Sequence, residues 1–170
     1  MEETVPKIYQ SLQKILGLHR QLLDIVRSER EALTSADLTA IQGATYAKEA
    51  IVQAIQQQEQ LRLELIGRLA LKLKKPLSDL TLNNLAILVQ GTDLKQADQL
   101  RTTNQALTLL IKRIQEQNTY NRGLIEESLE HVRAMKKNVL GEYAPKSETY
   151  SPNGQRKSGS GASRLISKEV

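Results

Sequence analysis

The side chains best suited to metal binding or acid–base catalysis are two histidines and the carboxylates near them. His131 comes four residues after Glu127 and directly after Glu130, whereas His19 stands alone in the first predicted helix. A metal site in a helical bundle uses Glu-x-x-His pairs on two helices, because the two side chains then point into one site. No second histidine lies at a matching position. We therefore expect a solvent-exposed His131, a packed or partly packed His19, and no metal.

Other catalytic patterns are missing from the sequence as well. There is no cysteine, which excludes a thiolate nucleophile, a thiolate zinc site and a disulfide framework. The glycines of the predicted helices are isolated and form no phosphate-binding loop. No Gly-x-Ser-x-Gly motif occurs. The sequence thus predicts a protein that is not an enzyme and needs no cofactor; a metal-dependent bundle enzyme is the alternative that bound metal after purification would reveal.

The composition favours a small helical protein. The 170 residues are 39% apolar, and their aromatic side chains are five tyrosines with no Phe or Trp, which argues against an aromatic-rich β-sandwich. The net charge of +5 comes from 24 basic and 19 acidic residues spread along the chain, so we expect no nucleic-acid partner. No stretch is apolar enough to insert into a membrane, and the N-terminal residues do not resemble a secretion signal.

Apolar residues that recur with alternating spacings of four and three predict two long helices. The first should run from about Thr4 to Leu33, and the second from the capping segment 34–37 to just before Pro76. With so short a connection, the two must form an antiparallel hairpin. The predicted buried stripes are Val5, Ile8, Leu12, Ile15, His19, Leu22, Val26, Glu29 and Leu33, then Leu38, Ile41, Thr45, Lys48, Val52, Ile55, Glu59, Arg62, Ile66, Leu69 and Leu73.

Two further helices follow. A short one should be capped by Ser78 or Asp79 and end at Gly91, and a long last helix should begin after Thr92-Asp93 and end at Gly141. The stripe of the last helix is Leu100, Leu107, Ile111, Ile114, Asn118, Asn121, Ile125, Leu129, Val132, Met135 and Val139. We therefore predict an all-α fold: an elongated antiparallel helical bundle, or coiled-coil hairpin, of three long helices and one short helix.

The composition changes after Gly141. Residues 142–170 are rich in Gly, Ser and Pro and carry five bases against three acids, a net charge of +2. Such a segment cannot bury enough apolar surface to offset the entropy lost on ordering. We predict a helical bundle over residues 1–141 and a flexible, disordered basic tail over 142–170.

Polar residues at stripe positions allow two interpretations. In the first, they specify the register in which the helices pair, because a buried polar group tolerates only the pairing that satisfies it. The residues concerned are Lys48, Glu59 and Arg62 in the second helix, and Asn118 and Asn121 in the last. Glu59 and Arg62 can also pair with each other. Alternatively, the two asparagines and the following Gly123 mark a point at which the last helix bends easily. In that case Leu124 to Val139 would be an amphipathic arm that offers its apolar face to a partner helix.

Two sets of residues resemble motifs of the FlgN-type flagellar export chaperones. The first lies in the hairpin, and the second pairs an Asn-x-x-Asn helix with a Tyr-x-x-x-Gly tail motif. The residues that carry the resemblance are Glu29 to Leu33, Asp37, Leu38, Lys48 and Arg62 in the hairpin, and Asn118, Asn121, Leu124, Ile125, Ser128, Leu129, Tyr150 and Gly154 in the second set.

The resemblance implies a cytoplasmic chaperone of flagellar type III secretion. Such proteins hold hook-filament junction proteins by the client's amphipathic C-terminal helix, prevent premature association, and deliver the client to the cytoplasmic domain of the export gate. It implies gate docking through Tyr150 and Gly154. The implied client-binding residues are Asn118, Asn121, Leu124, Ile125, Leu129, Val132, Met135 and Val139. A structural coiled-coil homodimer without an export role is the alternative.

Overall fold

The computed structural model describes residues 3–143, and the side chains of residues 3–139. Its helices are α1 (Thr4–Thr34), α2 (Leu38–Leu73), α3 (Leu82–Gln90) and α4 (Leu94–Tyr143), with a 3₁₀ turn at Leu77–Asp79. No strand occurs in this part of the chain. The all-α prediction of three long helices and one short one is confirmed. The predicted tail lies outside the described residues from position 144 onward.

The chain divides into two compact units. The first is Met1–Leu129 and contains α1, α2, α3 and the first part of α4. The second is Glu130–Val170, of which residues 130–143 are described and are helical. Helix α4 is continuous through Gly123 and extends two residues beyond Gly141, where the sequence predicted its end.

Capping side chains set the starts of three helices. Asp37 Oδ1 accepts a hydrogen bond from the Ala40 backbone N–H at 3.0 Å, and Asp93 Oδ1 accepts one from the Gln96 N–H at 2.9 Å. Both satisfy a donor that has no partner within the helix, as predicted. The predicted cap of α3 was wrong. Residues 77–79 form a separate 3₁₀ turn, so α3 begins later and is capped by Thr81.

Hydrogen bonds between helices show their directions. Ser11 Oγ donates to the Gln58 carbonyl, and Glu29 pairs with Lys48, so α1 and α2 are antiparallel. The contacts between α1 and α4 show the opposite relationship, because residue numbers increase in the same direction along both helices. They are Gln13 Nε2 to Thr103 Oγ1 at 2.9 Å and Asn121 Nδ2 to the Val26 carbonyl at 2.9 Å. Helices α1 and α4 are therefore parallel.

The main apolar core lies where four helices meet. Its buried side chains come from the first half of α1, the end of α2, α3 and the start of α4. A smaller cluster further along α1 contains Leu22, Leu23, Val26 and Ile114, with Ile51 and Ile55 packed against it from α2. The core is thus broad where α3 contributes and narrow towards the turn between α1 and α2.

The structure separates the predicted stripes into covered and uncovered parts. In α1, His19, Glu29 and Leu33 are half-buried and the other stripe residues are buried. In α2, the buried residues are Ile66, Leu69 and Ala70, whereas Leu38 is 75% exposed and Thr45 is exposed, contrary to prediction. In α4, buried stripe residues occur up to Asn121 and none from Ile125 to Val139. Periodicity therefore identified the apolar faces but not how far each is covered.

Candidate functional site

Three helices are joined by one polar group centred on Glu29. Its Oε2 accepts hydrogen bonds from Lys48 Nζ of α2 at 2.8 Å and from Asn121 Nδ2 of α4 at 2.8 Å. Asn121 Nδ2 also donates to the Val26 carbonyl of α1. The side chains of Glu29 and Lys48 are 12% and 28% exposed, so water screens this ion pair much less than a surface pair.

Asn121 is the most deeply buried member of this polar group. It is 2% exposed, and its Oδ1 is buried without a hydrogen-bond partner. An unpaired buried acceptor costs free energy, which limits the number of arrangements in which this residue is tolerated. In this structure Asn121 supports the register interpretation, since its amide bonds to α1. Asn118, one turn earlier, is half-buried.

Two other polar contacts lie at the edges of the bundle. Arg62 and Glu59 pair within α2 at 2.7 Å, as the sequence predicted. The Arg30 guanidinium lies 4.3 Å from the centroid of the Tyr120 ring, a cation–π distance between α1 and α4. Together with Asn121, this contact holds α4 against α1 just before the uncovered part of α4 begins.

The remaining predicted client-binding residues lie on α4 and are increasingly exposed. Leu124 is half-buried. In the first unit Ile125 and Leu129 are 42% and 49% exposed. In the described part of the second unit the exposed apolar side chains are Val132 at 61%, Met135 at 67% and Val139 at 57%. Every side chain from Ile125 to Val139 is exposed. The two proposed gate-docking residues, Tyr150 and Gly154, lie outside the described residues.

The histidines have the surroundings expected from the sequence. His131 is exposed, whereas His19 is half-buried and its Nδ1–H donates to the Ile15 carbonyl at 2.8 Å. Among residues 3–143, no group of three or more His, Cys, Asp or Glu side chains could hold a metal ion. No helix in the same range combines the length and hydrophobicity needed to cross a membrane.

Sequence reasoning did not identify Glu29 as the partner of both Lys48 and Asn121. The signal was present, because each of the three residues is polar and occupies a stripe position of its helix. Their pairing depends on the relative register of three helices, which periodicity along one helix does not contain. The Val26 carbonyl could not be found from side-chain patterns at all.

Comparisons with known proteins point to one family. A family model described as "FlgN protein" matches residues 1–158. Searches of curated proteins and of solved structures give no match. The matched range contains every described helix and both asparagines of the Asn-x-x-Asn motif. On the strength of this match, the chain belongs to the FlgN family of flagellar export chaperones.

Proposed function

We propose that this chain is a cytoplasmic chaperone for hook-filament junction proteins. It binds the amphipathic C-terminal helix of the client, prevents premature association of that helix, and delivers the client to the cytoplasmic domain of the flagellar export gate. The family supports export chaperoning in general.

The observation that carries the proposal is the uncovered apolar face of α4. In the first unit Ile125 and Leu129 lie four residues apart, and in the second Val132, Met135 and Val139 lie three and four residues apart. Each is at least 42% exposed. Apolar side chains at such spacings line one side of a helix, which is the pattern used when one helix docks on another. An uncovered face of this kind marks an interaction surface.

In this proposal the predicted residues have different roles. The five exposed residues make the apolar contact, and Leu124 lies at its beginning. Asn121 anchors α4 to α1 and so determines where the contact begins, and Asn118 lies at its border. Residues 1–141 form the client-binding body. Tyr150 and Gly154, which follow α4 in the sequence, dock on the gate.

Apolar burial would supply most of the affinity of this contact. Each Å² of apolar surface removed from water contributes about 25 cal/mol. Ordering the client helix offsets part of this gain. Leu, Ile, Val and Met side chains adapt to different apolar partners better than a site built on fixed hydrogen bonds. We therefore expect one face to accept the C-terminal helices of more than one junction protein.

Charge substitutions on this face test the proposal. We expect Leu129→Asp in the first unit and Met135→Asp in the second each to weaken binding of a junction protein's C-terminal segment by about tenfold or more, because a carboxylate would be buried against apolar groups. The control is Leu109→Asp, on α4 at a residue that is 51% exposed. Titration calorimetry measures the affinities and circular dichroism the helix content. Unchanged affinity in both variants would exclude this face as the client site.

A permanent coiled-coil homodimer would cover the same apolar face. Sedimentation across a range of concentrations separates the two functions. A concentration-independent dimer that does not bind junction proteins favours the structural subunit, whereas a 1:1 complex with the client favours the chaperone.

A further inference from the structure

Helix α3 is the fourth helix of the core, but it covers only one half of the bundle. Its buried residues Leu85, Ala86 and Val89 share the main core with residues of α1, α2 and α4. Near its N-terminal end, Asn83 Oδ1 accepts a hydrogen bond from Asn104 Nδ2 of α4 at 3.0 Å. Asn104 therefore marks the flank of α4 that lies beside α3, and also the level at which α3 begins.

The same flank of α4 continues without α3. Residues seven positions apart, about two helical turns, lie on the same face of a helix. From Asn104 this spacing leads to Ile111, Asn118 and Ile125. Ile111 is 40% exposed, Ile125 is 42% exposed, and Asn118 is half-buried. Leu107, which lies between Asn104 and Ile111, is 7% exposed and belongs to the main core. The flank is thus covered at the level of α3 and open beyond it.

Helix α2 shows the same change along its length. Val52 lies eighteen residues, five full turns, before Ala70, so both point in one direction from the helix axis. Ala70 is 5% exposed and Val52 is 37% exposed. Thr45, one heptad before Val52, is exposed. The covered part of this flank lies beside the four-helix core, and the open part lies towards the turn between α1 and α2.

Both open flanks lie at the level of the smaller apolar cluster. Ile51 and Ile55 of α2 pack against this cluster, and Ile114 of α4 belongs to it, so both helices border it. Helix α1 lies behind them, because Lys48 and Asn121 both bond to its Glu29. We call the surface formed by Thr45, Val52, Ile111, Asn118 and Ile125 the open seam.

We propose that the client helix binds in the open seam as the fourth helix of this half of the bundle, taking the position that α3 occupies in the other half. This inference rests on the proposed function and adds α2 as a second wall of the client site. Helix α3 supports the choice of a helical occupant, because it shows that this flank packs a helix with Leu, Ala and Val on its inner face. From Ile111 to Ile125 the open part of the flank spans about 21 Å, the length of a helix of roughly 14 residues.

The border of the open seam is polar and carries one acid and one base, Glu49 on α2 and Arg122 on α4, whose formal charges cancel. Four exposed glutamines also lie beside the open seam: Gln53, Gln56 and Gln60 on α2, and Gln115 on α4. Apolar contacts inside a neutral border give an affinity that changes little with ionic strength, since salt screens charges and not apolar burial. We expect client affinity to vary less than about threefold between 50 mM and 500 mM NaCl.

Matched pairs of variants on both helices test the open seam. We expect Val52→Asp and Ile111→Asp to weaken binding of a junction protein's C-terminal segment by about tenfold or more. The controls are Leu61→Asp and Leu109→Asp, at residues that are 49% and 51% exposed. Each control residue lies on the opposite side of its helix from the seam residue with which it is compared, because the two positions differ by about half a turn around the helix axis. They should bind the segment as the parent does.

The outcomes separate this inference from the proposed function. If Leu129→Asp weakens binding while Val52→Asp and Ile111→Asp do not, the seam is overturned and the α4 face stands. If Val52→Asp and Ile111→Asp weaken binding while Leu129→Asp and Met135→Asp do not, the seam stands and the α4 face falls.

Crosslinking gives a second measurement that does not depend on introducing a charge. The chain contains no cysteine, so Val52→Cys, Ile111→Cys, Leu61→Cys and Leu109→Cys each carry one site for a thiol-linked photocrosslinker. We expect the first two to crosslink to the client segment at least fivefold more than the controls. Equal yields at seam and control sites would overturn the proposal. So would crosslinks that join a seam site to a second copy, or to residues 144–170, in the presence of saturating client.

Discussion

Asn121 Nδ2 lies 2.8 Å from Glu29 Oε2, and this hydrogen bond joins the last helix to the first just before the last helix becomes uncovered. The acceptor oxygen is shared with Lys48 of α2. A single carboxylate thus links three helices, and a shift of α4 by one turn along α1 would break the link. Because Asn121 is buried, its amide could not turn to water instead.

Replacing this amide by a carboxyl should make stability depend on pH. Asn121→Asp places a second carboxylate beside Glu29 and removes the donor to the Val26 carbonyl. We expect a loss of about 2–4 kcal/mol in the free energy of unfolding at neutral pH. The repulsion is present only while the new carboxyl is ionised, so the loss should shrink as acid protonates that carboxyl between about pH 7 and pH 4. Urea unfolding of parent and variant across this range measures it, with Asn118→Asp as the half-buried control. A pH-independent difference would contradict this account.

Removing the cation of the same group should also be costly. Lys48→Met leaves the Glu29 carboxylate, 12% exposed, without its ion-pair partner, and we expect a loss of about 1–3 kcal/mol. In the double variant with Glu29→Gln the loss should be smaller than the sum of the two single losses, because no buried charge remains. Chemical denaturation of the four proteins gives the coupling free energy. A coupling near zero would show that the pair is not an energetic unit.

The Arg62–Glu59 ion pair should contribute less to stability than the Lys48–Glu29 pair, although the N···O distances of the two pairs are similar. Both residues lie on one helix, three positions apart, and the Glu59 side chain is 36% exposed. Pairs of this kind contribute about 0.2–0.5 kcal/mol. We therefore expect Glu59→Gln to change the free energy of unfolding by less than about 0.5 kcal/mol. Added NaCl should reduce even this effect, and a loss comparable to that of Lys48→Met would contradict the distinction.

The sequence was sufficient to predict the four helices, the capping segments 34–37 and 92–93, and the internal Glu59–Arg62 pair, because each depends on residues close together in the chain. It was not sufficient for the cap of α3, where a 3₁₀ turn displaced the predicted start to Thr81. It also failed for Leu38, which continues an apolar stripe but meets no covering helix. Coverage depends on how much of the bundle α3 lies beside, and the spacing of residues in α2 does not contain that information.

Neighbouring leucines in α2 test this difference between pattern and coverage. Leu69 is 0% exposed in the main core, and Leu71 is 82% exposed two residues later. We expect Leu69→Ala to lower the free energy of unfolding by about 2–5 kcal/mol, because it removes buried contacts and leaves a cavity. Leu71→Ala should change it by less than about 0.5 kcal/mol. Thermal and urea unfolding of both variants measure the difference, and equal losses would mean that the end of α2 packs differently from the structure.

Client binding and gate docking should be separable, because their proposed residues lie in different parts of the chain. Tyr150 is in the segment that follows α4, and a tyrosine ring supplies contact area and a hydrogen bond at low entropic cost. We expect Tyr150→Ala to bind a junction protein's C-terminal segment as the parent does, but to bind the cytoplasmic domain of the export gate at least tenfold more weakly. Leu129→Asp should show the reverse pattern. Titrating each variant against both partners measures the four affinities. If Tyr150→Ala bound the gate domain with the affinity of the parent, the tyrosine would have no role in docking.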